Sequence, residues 1–381
     1  MPGDDVAEER RARMSAEGRI EWIDIAKGIA MVSVVMCHVE NDWYDPDWLS
    51  LKVLLWGWNV PVFFLLAGFF IKEERLRSPL PFVKGKVRSI YLKLLMYYVP
   101  FVLLHNVFID IGFYDTATEY GGKAMTYYDV AETLKKLAAA ACLAGREPLL
   151  APLWFVSVLF MAMVCLSVGS GILWRWTGGG MRYEFVRMMV LMALCMMSCA
   201  LTNLFGITIP RGNNTLTALW LLYCGYMLRG RLRWEFDNGM MAAACALVVY
   251  HCASVEGGVI LAANDYDDCV LLTVASVAAL YLTCYLSRHI EGSRVGAWLA
   301  LCGRESFALM ALQFVGFRVG TLLLRVVGVD RPLGALWAPA KGSIVLFVYY
   351  VTAGVMVPLA LVGIYRIVRR RVAIIRKGRE G

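Results

Sequence analysis

Three side chains able to carry charge or move protons share one apolar run near the start of the chain: Asp24, Lys27 and His38. On a helix turning ~100° per residue, the step from Lys27 to His38 returns to within ~20° of the same face, and the step from Asp24 to within ~40°. At ~1.5 Å of rise per residue, His38 stands ~16 Å along the axis from Lys27, well into a hydrocarbon layer of ~30 Å. Ionisable groups inside spanning helices are costly and usually face a bundle interior or a watered cavity, which makes this stripe a candidate site. A neutral imidazole takes and gives a proton near neutral pH, the chemistry of a general base. Asp24 and Lys27, three apart near a helix start, also fit a local ion pair with a snorkelling lysine.

Two further histidines, His105 and His251, each stand ~18 Å into their own apolar runs. His105 is followed by Asn106, and the pair suits either orientation of a substrate hydroxyl or a structural bond to a neighbouring carbonyl. His251 reads as structural and His289 as a loop residue. Between the second and third apolar runs lies the densest basic cluster, Lys72, Arg75, Arg77, Lys84, Lys86, Arg88 and Lys93, against Glu73 and Glu74. Attraction to anionic lipid explains such a patch, and so does a grip on the phosphates of a cofactor whose other end enters the bundle.

The elements that must position these residues follow from composition. Of the 381 residues 59% are hydrophobic and 18% charged, with mean hydropathy +0.59. A soluble domain of this size carries charge on about a quarter of its residues, so a water-soluble globule is excluded. Ten apolar runs approach the ~20 residues of a spanning helix, at 22–39, 51–71, 90–113, 152–174, 186–205, 215–228, 239–253, 269–287, 306–324 and 342–365. The expected fold is an all-α integral membrane bundle of about ten transmembrane helices. A polar tail at 1–18 precedes the membrane domain at 19–370, and a basic tail at 371–381 follows it. Of the 38 Lys and Arg, 27 fall on the side shared by both termini and nine on the other, with Lys27 and Arg318 inside. The positive-inside rule then makes both termini cytoplasmic.

Residues 114–151 form the one long exterior segment, with an amphipathic helix expected over 129–143 on the membrane surface. No cleavable leader is expected, because the first 18 residues are polar. The 11 cysteines are scattered through apolar runs without CxxC pairs and read as small core residues, so neither a disulfide framework nor a metal site is expected. The net charge of +8 comes from short clusters between apolar runs, a pattern that does not suit nucleic acid. One weak internal echo, residues 65–72 and 222–229, reads as glycine for helix packing plus a basic anchor.

These residues carry a resemblance. The run Arg19-Ile20-Glu21-Trp22-Ile23-Asp24-Ile25-Ala26-Lys27-Gly28, followed by Cys37-His38, resembles the opening helix of membrane acyltransferase family 3, a basic residue ten positions before a histidine. Asn59-Val60-Pro61-Val62-Phe63-Phe64-Leu65-Leu66-Ala67-Gly68-Phe69 resembles its second helix and 82–100 its basic loop and third helix. Pro152-Leu153-Trp154-Phe155 is similar to the start of its fourth helix, and Gly303-Arg304-Glu305-Ser306-Phe307 to its late Gly-x-x-Ser motif. The likeness covers about residues 19–370 and is nearest to fucose 4-O-acetylase-like, exopolysaccharide-type members.

The resemblance implies an enzyme of the plasma membrane that moves an acyl group, expected to be acetyl from cytoplasmic acetyl-CoA, to a hydroxyl of a sugar or other cell-envelope acceptor. It implies His38 as catalytic histidine, acting as base or transient acyl carrier, with Lys27 as its basic partner and Asp24 beside it. It places Lys84, Lys86 and Arg88 near the CoA phosphates, and Ser306 at the late serine. Seven residues after that serine many relatives have histidine, where this chain has Gln313, which hydrogen-bonds but cannot shuttle a proton. Trp154 suits either stacking on a sugar ring or anchoring at the interface. His38 and Asp42 also spell HxxxD, a spacing of some soluble acyltransferases, but Asp42 falls beyond the expected helix. The alternative is a transporter or flippase for an envelope lipid or glycan precursor, which would show repeat symmetry and broken helices in matching halves.

Overall fold

Long stretches of Leu, Ala, Met, Val and Phe become helix where no breaker interrupts them, and the described chain is 76% helical. The computed structural model describes residues 20–40, 58–117, 119–120, 124–230, 232, 234–256 and 259–380, with side chains of 256 and 373–380 excepted. The tail 1–18, Asp42 and the start of the second apolar run lie outside these residues.

Helix α1 (Glu21–Cys37) covers the first run and ends at His38, whose φ of −96° and ψ of 8° leave the helical region. Strand β1 (Val39–Glu40) and helix α2 (Asn59–Phe69) follow. The basic segment holds α3 (Glu73–Leu76) and α4 (Pro79–Lys86). A π-helical turn at Val87–Tyr91 leads from α4 into α5 (Leu92–Leu103), and after Leu104 comes the short α6 (His105–Asp110). Next are α7 (Val130–Ala141), a 3-10 turn at Pro148–Leu153, α8 (Trp154–Thr177) and α9 (Gly180–Asn203). The remainder comprises α10 (Gly212–Gly230), α11 (Gly239–Glu256), α12 (Cys269–His289), α13 (Arg294–Arg304) and α14 (Ser306–Val326). Strand β2 (Ala338–Pro339) and α15 (Ile344–Glu380) complete it. The two strands pair in parallel, Val39 with Ala338 and Glu40 with Pro339.

Among the described residues five helices are long and apolar enough to cross a membrane: Pro148–Thr177, Gly180–Asn203, Cys269–His289, Ser306–Val326 and Ile344–Val372. The other apolar runs also contain helix, but shorter, broken or more polar. The 17-residue α1 stops at His38, the third run breaks at Leu104, and α10 opens with Asn213, Asn214, Thr215 and Thr217.

Two pairs of antiparallel helices interlock through glycine. A Cβ on Gly68 would lie 1.9 Å from the Leu222 carbonyl oxygen, and one on Gly225 2.0 Å from that of Leu65. The internal echo is therefore a reciprocal packing device between α2 and α10, since only glycine lets two backbones approach so closely. The second clasp joins α1 to α13: a Cβ on Gly28 would meet Leu299 O at 2.0 Å, and one on Gly303 would meet Asp24 O at 1.8 Å.

Helix α7 forms over the expected amphipathic stretch. It runs antiparallel beside α5. The Asn106 amide exchanges two hydrogen bonds with the Tyr128 backbone (2.9 and 2.8 Å). At the far end, Tyr91 donates to Ala141 O (2.8 Å) and Tyr98 to Gly145 O (3.0 Å). The reason is local: tyrosines seven apart share a face of the helical line and meet carbonyls left without partners where α7 ends. At its start, Asp129 Oδ1 caps the helix by accepting from Glu132 N (2.7 Å).

Asn213-Asn214-Thr215 has the spelling of a glycosylation sequon, a pattern that belongs to exposed loops. Both asparagines are buried in the first turn of α10. Asn213 donates to Thr202 Oγ1 and Ile207 O, both at 2.9 Å, and Asn214 donates to Leu261 O (2.5 Å).

Candidate active site

The α1–α13 clasp brings Asp24 against Gly303, and α14 begins just beyond it, so Arg304 and Ser306 come to stand beside Asp24 and Lys27. These four side chains, with Lys86, line a 590 Å³ cavity between α1, α2, α8 and α14. That volume falls in the range of about 300–1,000 Å³ usual for ligand pockets. Its remaining wall is apolar, including Phe63, Leu66, Phe155, Leu159, Met163 and Met310. The Lys27 ammonium lies 3.5 Å from Asp24 Oδ1. The π turn directly follows Lys86, and such turns are frequent at functional sites. Burial, with Arg75 nearby, pushes the Lys86 ammonium below the ordinary lysine value. An anion entering here would meet three cations and one carboxylate already paired.

His38 stands at the other end of α1. Its Nδ1 lies 2.7 Å from Val34 O, and since a carbonyl can only accept, Nδ1 carries the proton of the neutral ring and the lone pair resides on Nε2. The imidazole stacks on Trp337 (centroids 5.2 Å apart, planes at 17°) and meets the edge of Phe314 (5.2 Å, 71°). Phe314 is one turn, about 6 Å, along α14 from the cavity-lining Met310. The histidine therefore sits beyond the cavity's deep end. Between them Gln313 is fully buried; its Nε2 donates to Met310 O (3.3 Å), while its Oε1 has no partner among the described residues.

His105 belongs elsewhere. Its Nδ1 is 2.7 Å from Glu147 Oε1 and its Nε2 3.2 Å from Thr126 O, with the ring stacked 3.5 Å from Tyr128. Tyr114 donates to the same carboxylate (2.8 Å), and burial and that charge together raise its hydroxyl well above the usual range. The pair underlies a separate 200 Å³ pocket bordered by Tyr120, Lys136 and Arg146. Both ends of the Asn106 amide are occupied by Tyr128, as described.

Of the residues singled out in the sequence, the cavity unites Asp24, Lys27, Lys86 and Ser306. Lys84 and Arg88 are exposed on the same segment and do not line that cavity. Trp154 packs edge-on against its neighbour Phe155 (6.4 Å, 86°), and it is Phe155 that faces the cavity. Sequence reasoning passed over Arg304, although it lies inside the quoted Gly303–Phe307 motif. It also passed over Glu147 and Trp337, whose partners are 42 and 299 positions away and share no periodicity with them. Among the described residues no group of three or more His, Cys, Asp or Glu could hold a metal ion.

A family model described as an acyltransferase domain matches residues 20–363. The chain belongs to this family, the membrane acyltransferases of family 3. Searches of curated proteins and of solved structures return no match.

Proposed function

We propose that this membrane acyltransferase transfers an acyl group, acetyl in the first instance, from cytoplasmic acyl-CoA to a hydroxyl of a sugar or other cell-envelope acceptor. The reading includes ten crossings of the plasma membrane with both termini cytoplasmic. One observation supports it: the 590 Å³ cavity with Lys27, Lys86 and Arg304 in its lining and otherwise mostly apolar walls. That donor set suits a long thin substrate with phosphates at one end, since charge-assisted bonds to phosphate favour such groups. Acyl-CoA as substrate supplies an activated thioester.

The chain's own residues supply the rest. Lys86 and Arg304 hold phosphate oxygens, while the exposed Lys84 and Arg88 add attraction from a distance. Asp24 holds Lys27, whose ammonium stabilises negative charge developing in the cavity, and Ser306 offers a hydroxyl beside it. His38, with its tautomer fixed by Val34 O, accepts the acceptor's hydroxyl proton at Nε2. As the hydroxyl oxygen bonds to the acyl carbon, the carbon–sulfur bond breaks and the proton passes to the departing sulfur. The Gln313 carbonyl oxygen can accept from an incoming hydroxyl, which would relieve the cost of a buried acceptor left unpaired.

The test is turnover of labelled acetyl-CoA by purified protein in lipid, following CoA release and label on envelope glycans. His38→Ala should retain acetyl-CoA binding and lose turnover by about 100-fold or more, the scale of a lost general base. Lys27→Ala should reduce turnover as well. Full turnover by a folded His38→Ala protein would remove the histidine from the mechanism.

A further inference from the structure

His38 is covered by a residue from a distant part of the chain. Trp337 belongs to the non-helical segment between α14 and α15, and its indole lies nearly parallel to the imidazole. The segment is held there by several separate ties. Ala338 N donates to the His38 carbonyl (3.1 Å), extending the β1–β2 pairing. Gly334 packs so closely on Asp115 that a Cβ would lie 2.6 Å from the Asp115 Cβ. Arg318, 2% exposed in the middle of α14, donates Nε to Phe113 O (3.0 Å) and Nη1 to Ala335 O. A guanidinium inside an apolar helix is costly, and both bonds fix backbone carbonyls of the two segments that hold Trp337 in place.

A histidine base beside a thioester serves water as readily as a sugar hydroxyl, because either can lose its proton to Nε2. Productive transfer therefore depends on excluding water until the acceptor is bound. An indole spread over the ring displaces water from that face, and its apolar surface also suits the C–H face of a sugar. Resting on the acyltransferase reading above, we infer that Trp337 determines whether the acyl group goes to acceptor or to water, and that Arg318 is the positioning residue that keeps it over His38. With Trp337 removed, water's oxygen bonds to the acyl carbon, the carbon–sulfur bond breaks, and CoA and a free carboxylic acid are released.

The experiment uses the full chain in acceptor-free lipid nanodiscs with acetyl-CoA, and in parallel with an envelope glycan fraction added. CoA release and label on glycan are both measured. Trp337→Ala should raise acceptor-independent CoA release at least tenfold and lower the label transferred per CoA released. Trp337→Phe, which retains an aromatic cover, should stay near wild type. Arg318→Lys, which keeps the tryptophan but loses the fork that holds its segment to Phe113 O and Ala335 O, should shift the partition in the same direction by a smaller factor. If Trp337→Ala does not fold, Arg318→Lys decides. An unchanged ratio of transfer to hydrolysis in the folded variants overturns the inference. A wild type that releases no CoA with or without glycan overturns the acyltransfer reading instead, a separate result.

Discussion

Replacing Gly303 by alanine tests how the site is assembled. A Cβ there would lie 1.8 Å from the Asp24 carbonyl oxygen and 3.0 Å from Gly28 N, both backbone atoms that no rotamer change can move. Ordinary contact begins at 3.4 Å, so α13 must retreat from α1 by about 1.6 Å. Overpacking of a tight interior costs about 1–3 kcal/mol, and relief by moving a helix belongs at the upper end of that range. The displacement separates Asp24 and Lys27 from Arg304 and Ser306, which lie on opposite sides of the clasp. A misplacement of about 1 Å can cost a factor of about 100 in rate, so Gly303→Ala should lose roughly that much turnover or more. Thermal unfolding in lipid nanodiscs reads the first quantity and acetyl-CoA turnover the second. Gly363→Ala is the control, because a Cβ there meets nothing within 4 Å. A Gly303→Ala protein as stable and as active as Gly363→Ala would refute the assignment of the clasp as the frame of the site.

Three other outcomes follow from the structure. Glu147→Ala leaves His105 without its buried partner and Tyr114 without its acceptor; the loss should be about 3–5 kcal/mol in chemical unfolding, and a loss below about 1 kcal/mol would contradict the pairing. Burial acts to raise the Glu73 carboxyl, but the Arg187 guanidinium and bonds from Tyr226, Arg187 and Tyr183 outweigh it and hold it below 4.5. A depressed carboxyl contributes stability above its unfolded pKa that is lost as pH falls through the folded value. Wild type should thus weaken on acidification below about pH 4.5 in a step that Glu73→Gln lacks, as followed by unfolding at stepped pH. Finally, Asn213 is fully buried with its amide bonded, so expression in a glycosylating host should add no glycan mass at that residue, and a glycopeptide carrying it would contradict the α10 packing.

What was legible in the sequence and what was not divides along the range of the forces involved. Apolar runs, their lengths and the spacing of Lys27 and His38 are local properties, and the helices form where those runs lie. The same holds for Asp129 as a cap, which depends on Glu132 a turn away, whereas the close approach that the glycines of the 65–72 and 222–229 echo permit is set by the partner helix. Helix α7 shows where this stops. Its amphipathic pattern announces a helix, but two tyrosines and an asparagine of the preceding helical line determine what it lies against. The fate of the sequon is similar, because burial of Asn213 depends on Thr202 and the loop around Leu261.

The site divides in the same way. The sequence offered an ionisable stripe in the first apolar run and a basic segment, together with a resemblance to the family that the matching domain shows. It did not establish that Lys86 rather than Lys84 or Arg88 enters the cavity, because which face of α4 turns inward is set by the helices it packs against. Nor could it join Trp337 to His38, Glu147 to His105 or Arg318 to two loop carbonyls. Those pairings arise when helices interlock at Gly28 and Gly303 and at Gly68 and Gly225, and contacts across such distances in the chain are fixed by packing geometry, which no local periodicity encodes.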